Sequence, residues 1–269
     1  MTVLLIGGTG QTGRPLSRLL PEAKVASRTP GPGQVRFDWT DPGSFRPALE
    51  GVRAVYLVPP PADLEPMRLA EPFLAEAAAA GVRRVVLLGS LIVLPGAPGV
   101  AEFTRAVRRF PEAAVLRPSG FMQNVLGAHP LAAGLRERGE LVSAAGDGRL
   151  GWIDAEDIAA VAARLLTGPA SDGEHLLTGP EALSYPEVAE VLAEVTGRPI
   201  RHRPVSAAQR AELFREAGVP EAFATALGEV DAGIRAGEED QVTGTVEELT
   251  GRPARSFREF ARAHSSELP

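Results

Sequence analysis

Residues Leu4–Pro30 read LLIGGTGQTGRPLSRLLPEAKVASRTP. An apolar run ending at Ile6 meets glycines at 7, 10 and 13, and an amphipathic segment follows to Leu20. A strand that turns sharply into a helix needs a residue free to take positive φ, and Gly7 supplies it. Gly10 lets a pyrophosphate approach the backbone, and Gly13 lets the helix lie close on the strand. Free N–H groups at the start of the helix favour a phosphate there. The spacing is GxxGxxG, not the commoner GxGxxG, so its weight comes from its setting between a first strand and a first helix. These residues predict a dinucleotide-binding loop.

The rest of the first half supports that setting. Short apolar runs at Val3–Ile6, Lys24–Ser27, Gln34–Phe37, Ala54–Val58, Arg84–Leu88 and Ala113–Arg117 read as strands covered on both faces. Helical patterns lie between them at Gln11–Leu20, Pro42–Leu49, Asp63–Ala80 and Val100–Phe110. Alternation of this kind implies a parallel sheet with right-handed crossovers. In the second half, WIDAEDIAAVAARLL predicts a helix from Ile153 or Asp154, with Asp154 and Asp157 at the N-cap and N3 positions. Short strands near His175–Leu177 and Ile200–Arg203 precede or separate helices at Tyr185–Thr196, Ala207–Ala217, Pro220–Arg235 and Ser256–His264. The expected architecture is α/β: a Rossmann-type doubly wound parallel sheet over 1–153, with a smaller, mostly helical C-terminal α+β substrate lobe over 154–269. Helix 154–166 is expected to pack back on the sheet.

Composition narrows the function. The 269 residues are 44% hydrophobic and 23% charged, enough for a large core. A net charge of −6 argues against a general nucleic-acid surface. The absence of cysteine excludes disulfides, thiolate metal sites and a cysteine nucleophile. His129, His175, His202 and His264 share no i,i+4 spacing, so no metal site is expected. No G-x-S-x-G elbow marks a hydrolase. With no signal-peptide pattern and no apolar run near the ~20 residues of a membrane span, the expectation is a cytoplasmic protein away from membranes.

The end of the second strand bears on cofactor choice. NAD-preferring folds place an acidic residue about 20 residues beyond the glycines. Here VASRTP supplies Ser27, Arg28 and Thr29. A guanidinium matches a 2′-phosphate by bidentate hydrogen bonding, so NADP(H) is expected over NAD(H). Arg14 can reach the same phosphate. Asp38 can accept the adenine amino group or simply begin the turn DWTDP. Val58 and Pro59, in LVPPP after the fourth strand, lie where a cofactor crosses the strand ends.

Six stretches, GGTGQTGR, VYLVPP, GVRRVVLLGS, LRPSGFMQN, WIDAEDIAAVA and TGRPARSFREFARAH, resemble in order the NmrA-like family of atypical short-chain dehydrogenases. That resemblance implies a Rossmann domain with a C-terminal substrate lobe and, usually, NADP(H). It covers quinone reductases, festuclavine dehydrogenases and cofactor-binding redox sensors. It places Gly7, Gly10, Gln11, Thr12 and Gly13 in the phosphate loop and Arg28 at the 2′-phosphate. LRPSGFMQN matches the loop beside the nicotinamide, which makes Pro118 a cofactor contact and Ser119, Phe121 and Asn124 pocket candidates. Where relatives often carry SS after the fifth strand, this chain has Gly89-Ser90 and then LIVLPGAPG.

Ketone-reducing short-chain dehydrogenases use a Tyr-x-x-x-Lys pair. Here the tyrosines are Tyr56 and Tyr185, the only lysine is Lys24, and no lysine follows either tyrosine. Hydride transfer to a simple ketone builds charge on oxygen that needs a donor. A quinone, an iminium or a conjugated carbonyl makes a smaller demand. Orientation over the nicotinamide in a dry pocket is then enough, with Phe121, Met122, Trp152 and the LIVLP loop as walls. Ser90, also at the cofactor edge, Ser119 or Asn124 can hydrogen-bond the substrate. Glu102 sits at the family's helix position near the cofactor, although AEFTRAVRRF also reads as a plain amphipathic helix. The expected activity is NADPH-dependent reduction of an activated small molecule, by a chain that can act as a homodimer. The alternatives are a redox sensor that binds NADP(H) and signals to a protein partner, and a redox-neutral isomerase or cyclase.

Overall fold

A computed structural model of the chain describes residues 1–61, 63, 65–92 and 99–268, without the side chains of 99 and 100. Its first half runs β1 (Thr2–Leu5), α1 (Gly13–Leu19), β2 (Lys24–Ser27), β3 (Gln34–Arg36), α2 (Phe45–Leu49), β4 (Val52–Leu57), α3 (Met67–Ala79), β5 (Arg84–Leu88), α4 (Gly99–Val107) and β6 (Glu112–Pro118). It continues through α5 (Pro130–Arg138), β7 (Glu140–Ser143), β8 (Arg149–Leu150), α6 (Ala155–Thr167), β9 (Gly173–Leu177) and β10 (Leu183–Ser184). Last come α7 (Tyr185–Thr196), β11 (Arg201–Pro204), α8 (Ala207–Glu216), α9 (Glu221–Arg235), α10 (Thr245–Thr250) and α11 (Phe257–Ala263). Short 3₁₀ turns occupy Pro42–Ser44 and Met122–Val125.

These elements form two compact units. The first holds Met1–Ser90, Pro98–Arg117 and Ala155–Leu176; the second holds Leu91–Ala97, Pro118–Asp154 and Leu177–Pro269. The chain therefore crosses between units several times, where a single boundary at 153/154 was expected. The second unit takes in 118–154, so it is comparable in length to the first and not a small appendage.

In the first unit the strand order is β3-β2-β1-β4-β5-β6-β9. Neighbours from β3 through β6 pair in parallel. The order reverses between β1 and β4, the switch point at which doubly wound sheets hold ligands. Ala54, Val55, Tyr56 and Leu57 of β4 are all buried, as a strand covered on both faces requires. α6 lies on α1, β4 and β5, and Arg84 caps its last turn by donating to the carbonyls of Leu165, Leu166 and Gly168. On the other face Phe37, Phe45 and Phe73 interlock edge-to-face and stacked with Trp39. A fully buried ring of this size contributes roughly 2–3 kcal/mol over its exposed state.

The second unit is built on α7, whose N-terminus carries a full capping box of Ser184 and Glu187. β7 pairs in parallel with β11, and β8 antiparallel with β10. α8 and α9 lie together, and α11 lies on α7. Trp152, Tyr185, Phe257 and Phe260 form the aromatic heart of this core.

Candidate active site

The loop leaving β1 is compressed to the point where it admits almost no side-chain bulk. The Gly10 N–H donates to the Gly7 carbonyl at 2.9 Å and the Gly8 N–H to Leu5 at 3.3 Å. Gly7 takes φ +78°, and a Cβ there would come within 2.7 Å of the Val58 side chain. At Gly13 a Cβ would stand 2.1 Å from the Gly7 carbonyl oxygen and 2.5 Å from the Gly8 Cα. Gly8 was not singled out by the motif spacing, yet its Cβ would meet Val25 at 2.8 Å; the GG doublet is the one signal for it. Thr9, Gly10 and Gln11 remain exposed at the crest. Such a cradle, open backbone backed by close-packed glycine, suits a pyrophosphate.

Two neighbours of the cradle turn elsewhere. Thr12 is buried, and its hydroxyl accepts a hydrogen bond from the Tyr56 phenol at 2.9 Å, so it faces the sheet. Arg14 folds back on the loop, its Nε donating to the Thr9 carbonyl at 2.8 Å.

Arg28 follows β2 directly, is exposed, and makes no side-chain hydrogen bond or ion pair among the described residues. Asp38 accepts from both the backbone N–H and the hydroxyl of Thr40, at 2.9 and 2.8 Å. Those bonds, then the nearby Arg36 and Arg28 guanidiniums, hold its carboxyl below the usual carboxylate range. The turn reading of Asp38 is thus realised, with one oxygen left for another donor.

Val58 and Pro59 are half-buried at the end of β4, Val58 against Gly7. At the end of β5 the Gly89 N–H donates to Leu116 at 2.8 Å, and half-buried Ser90 offers its carbonyl to Arg117 Nε at 3.3 Å. Because β2, β1, β4 and β5 are parallel neighbours, the glycine cradle, Arg28, Val58–Pro59 and Ser90 share one carboxyl edge. Glu102 lies in the first turn of α4, half-buried.

In the second unit, the Pro118 carbonyl accepts from the Leu91 N–H at 2.9 Å, and Ser119 N–H donates to Leu177 at 3.0 Å. The Ser119 hydroxyl is buried without a hydrogen-bond partner among the described residues. Gly120 and Met122 clamp Ile153: Ile153 N–H donates to Gly120 and Met122 N–H donates to Ile153, each at 2.9 Å. Phe121 and Asn124 are half-buried on this loop. Met122 and Trp152, expected as pocket walls, are each only 1% exposed and belong to the core of this unit. The Trp152 indole N–H donates to Leu183 at 3.0 Å, which completes its burial. Of the expected LIVLP wall, Val93–Pro95 lies outside the described residues.

Neither tyrosine is free to act as an acid. Tyr56 is fully buried, and desolvation raises its phenol well above the ordinary range despite the bond to Thr12. Tyr185 is buried in the second unit and is pushed the same way by desolvation and then by Asp231. Lys24 Nζ donates to the Glu50 carbonyl at 2.6 Å. Among the described residues no three His, Cys, Asp or Glu gather as metal ligands, and no helix is long and apolar enough to cross a membrane.

No family model matches the chain. Near full-length relatives do. It is 39% identical over 273 residues to an uncharacterized oxidoreductase, YesF, of Bacillus subtilis (strain 168), covering 98% of this chain and 95% of that protein. It is 38% identical to an agroclavine dehydrogenase of Claviceps fusiformis, covering 97% and 96%. It is 35% identical to an NAD(P)H azoreductase of Xenophilus azovorans, covering 98% of each. Among solved structures, a nucleoside-diphosphate-sugar epimerase of Staphylococcus aureus aligns with a TM-score of 0.84 at 21% identity, covering 97% of this chain and 100% of that one. An NADPH-dependent quinone oxidoreductase of Escherichia coli, complexed with NADPH, aligns with a TM-score of 0.82 at 22% identity, covering 98% and 99%. At such identities the structures report the fold and leave the reaction to the site.

Proposed function

The chain belongs to the NmrA-like family of atypical short-chain dehydrogenases and is an NAD(P)H-dependent oxidoreductase; from that premise we propose that it uses NADPH to reduce an acceptor that is already electrophilic, such as a quinone, an iminium or a conjugated carbonyl. The observation that carries this reading is the commitment of every tyrosine and lysine to other partners. Tyr56 is sealed beneath Thr12, Tyr185 is buried, and Lys24 is bound to a turn carbonyl. An acceptor that needs no strong proton donor fits such a site. The name of one relative, an NAD(P)H azoreductase, agrees with an acceptor of this kind.

The residues fit a nicotinamide dinucleotide. The glycine cradle would take the pyrophosphate, and no side chain could replace Gly13 there without displacing the loop. Arg28, exposed and unpaired, would take a 2′-phosphate by a charge-assisted fork, and no acidic residue lies between Lys24 and Gly33 to favour a free ribose hydroxyl. Ser90 would meet the cofactor at the end of β5. Phe121 and Asn124, with Ser119, are the side chains we assign to the substrate, with Asn124 as hydrogen-bond donor. Small-molecule substrate is the partner class this implies.

The test is oxidation of NADPH followed at its own absorbance with a panel of quinones, a cyclic imine, an azo compound and an unactivated ketone. Turnover with an activated acceptor and none with the ketone supports the reading. Tight cofactor binding with no turnover on any acceptor replaces it with the sensor reading.

A further inference from the structure

We infer that Arg36, held by Asp41, is a positioning residue that sets cofactor choice by fixing the backbone of Arg28, without touching the cofactor itself. The inference rests on the reading of Arg28 as the 2′-phosphate residue. Arg36 ends β3 and is paired in register with Ser27, the residue before Arg28. Its Nη1 donates to the Arg28 carbonyl at 3.2 Å, and its Nη2 donates to Asp41 Oδ2 at 3.2 Å. Asp41 is fixed in turn, because its Oδ1 accepts from the Gly43 N–H at 3.2 Å and caps the 3₁₀ turn at Pro42–Ser44.

Charge separates the roles of the two arginines. Asp38 lies near both guanidiniums, but Arg36 is ion-paired to Asp41, whereas Arg28 makes no ion pair among the described residues. A phosphate is recognised by the cation whose charge is still free, which is Arg28. Its side chain is long and exposed, and ordering it on binding costs rotamer entropy. Fixing the backbone beneath it leaves only that side-chain cost to be met when the ligand arrives, without a backbone cost added to it. Three side chains grip this loop: Ser27 Oγ donates to the Thr29 carbonyl, Gln34 accepts from the Gly31 N–H, and Arg36 holds residue 28 itself. Arg36 alone acts on the residue that carries the charge.

The brace is exposed, with the Arg36 and Asp41 side chains 57% and 45% accessible. An ion pair so placed adds little to stability. Its loss is therefore read in cofactor selectivity while the melting temperature stays put, which a merely structural role would not produce.

The experiment measures equilibrium dissociation constants of NADPH and NADH for the full-length protein by calorimetry, so it does not depend on turnover. Arg28→Ala weakens NADPH and spares NADH. Arg36→Ala weakens NADPH by roughly threefold to tenfold, the scale of one lost charge-assisted bond acting indirectly, and leaves NADH and the melting temperature unchanged. Asp41→Asn shifts NADPH in the same direction by less, and Arg36→Lys restores part of the loss. The double variant Arg28→Ala/Arg36→Ala binds NADPH no more weakly than Arg28→Ala alone. Equal weakening of both cofactors by Arg36→Ala, no effect at all, or a double variant weaker than Arg28→Ala overturns the inference. If Arg28→Ala itself fails to discriminate, the 2′-phosphate reading falls and the inference falls with it. If Arg28→Ala discriminates and Arg36→Ala does not, the inference alone falls.

Discussion

The Tyr56 phenol donates a hydrogen bond to the Thr12 hydroxyl at 2.9 Å, with both residues buried. This single bond ties the centre of the sheet to the base of the glycine cradle. It also uses up the phenolic proton of the one tyrosine in the first unit. Tyr56→Phe is expected to leave the Thr12 hydroxyl buried without its donor, a loss of about 1–2 kcal/mol in unfolding free energy. Chemical denaturation checks that figure. The same variant should keep its turnover number on a quinone within about twofold, since a sealed phenol cannot be the proton source. A hundredfold fall in turnover with cofactor binding intact would put Tyr56 in the chemistry and sink the proposed mechanism.

The cradle makes a graded prediction. A Cβ at Gly13 would stand 2.1 Å from a backbone oxygen, whereas one at Gly10 would stand 3.2 Å from its nearest neighbour. Both neighbours are the Gly7 carbonyl oxygen, so distance decides: the overlap at Gly13 forces the loop to shift, whereas Gly10→Ala needs only a small adjustment. NADPH should raise the melting temperature of the parent protein and of Gly10→Ala, by a smaller amount in the variant. It should leave Gly13→Ala, itself less stable, unmoved. A normal thermal shift in Gly13→Ala would show that the cofactor does not depend on this loop.

Much of this architecture is legible because the interactions that make it are local. β2, β5 and α7 fall on the expected residues, each bounded by its own turn or cap and each periodic along its length. β7 was not legible. Its four residues ELVS begin with Glu140, a buried carboxylate paired with Arg138 nearby and with Arg201 and Arg203, which reach it from 61 or more positions away. α5 was hidden for a different reason, a weakly amphipathic run containing Pro130 and Gly134. Trp152 and Met122 sit beside motif residues in sequence and so read as pocket walls. Tyr185 and Phe257, distant in the chain, draw them into a core. The direction of the Thr12 hydroxyl follows from Tyr56, which motif spacing cannot report. The glycine loop is thus legible from residues close together in the chain, whereas the burial of Met122 and Trp152 depends on long-range packing.

His129 gives the fold a dependence on pH with a definite sign. Its Nδ1 caps α5 by accepting from the Leu131 N–H at 3.2 Å, and its ring meets Phe214 edge-on. Burial, then the nearby Arg210, lowers its pKa from 6.5 to about 4, against a smaller opposing effect of its bond to the Asn124 backbone. The unfolded chain therefore binds this proton before the folded one does. The neutral ring's contribution is fully present above about pH 6.5 and drains away as pH falls toward 4, by about 3 kcal/mol across that window. Urea unfolding at pH 7 and pH 4.5 should show the parent protein losing more stability than His129→Asn, which keeps a capping oxygen and does not titrate. Equal losses in the two proteins would remove His129 as the cause.

Asp154 and Arg255 give the last prediction. The Asp154 side chain has no solvent exposure, and its two oxygens accept from Gln123 Nε2 and from Arg255 Nη1, each at 2.6 Å. Gln123 stands on the loop that carries Phe121 and Asn124, while Arg255 lies just before α11, in the stretch TGRPARSFREFARAH. One buried carboxylate therefore links the Phe121–Asn124 loop to the segment before α11 of the same unit. Arg255→Ala removes a cationic partner from this buried carboxylate, which costs about 3 kcal/mol. Arg255→Lys keeps the charge without the planar fork and should cost less. Asp154→Asn/Arg255→Ala should recover part of the loss, because a neutral amide is cheaper to keep buried than a carboxylate that has lost a guanidinium. The check is denaturant unfolding of these three variants and of Asp154→Asn beside the parent. A double variant as unstable as the sum of its single changes would mean that the two side chains act independently and that the link is only apparent.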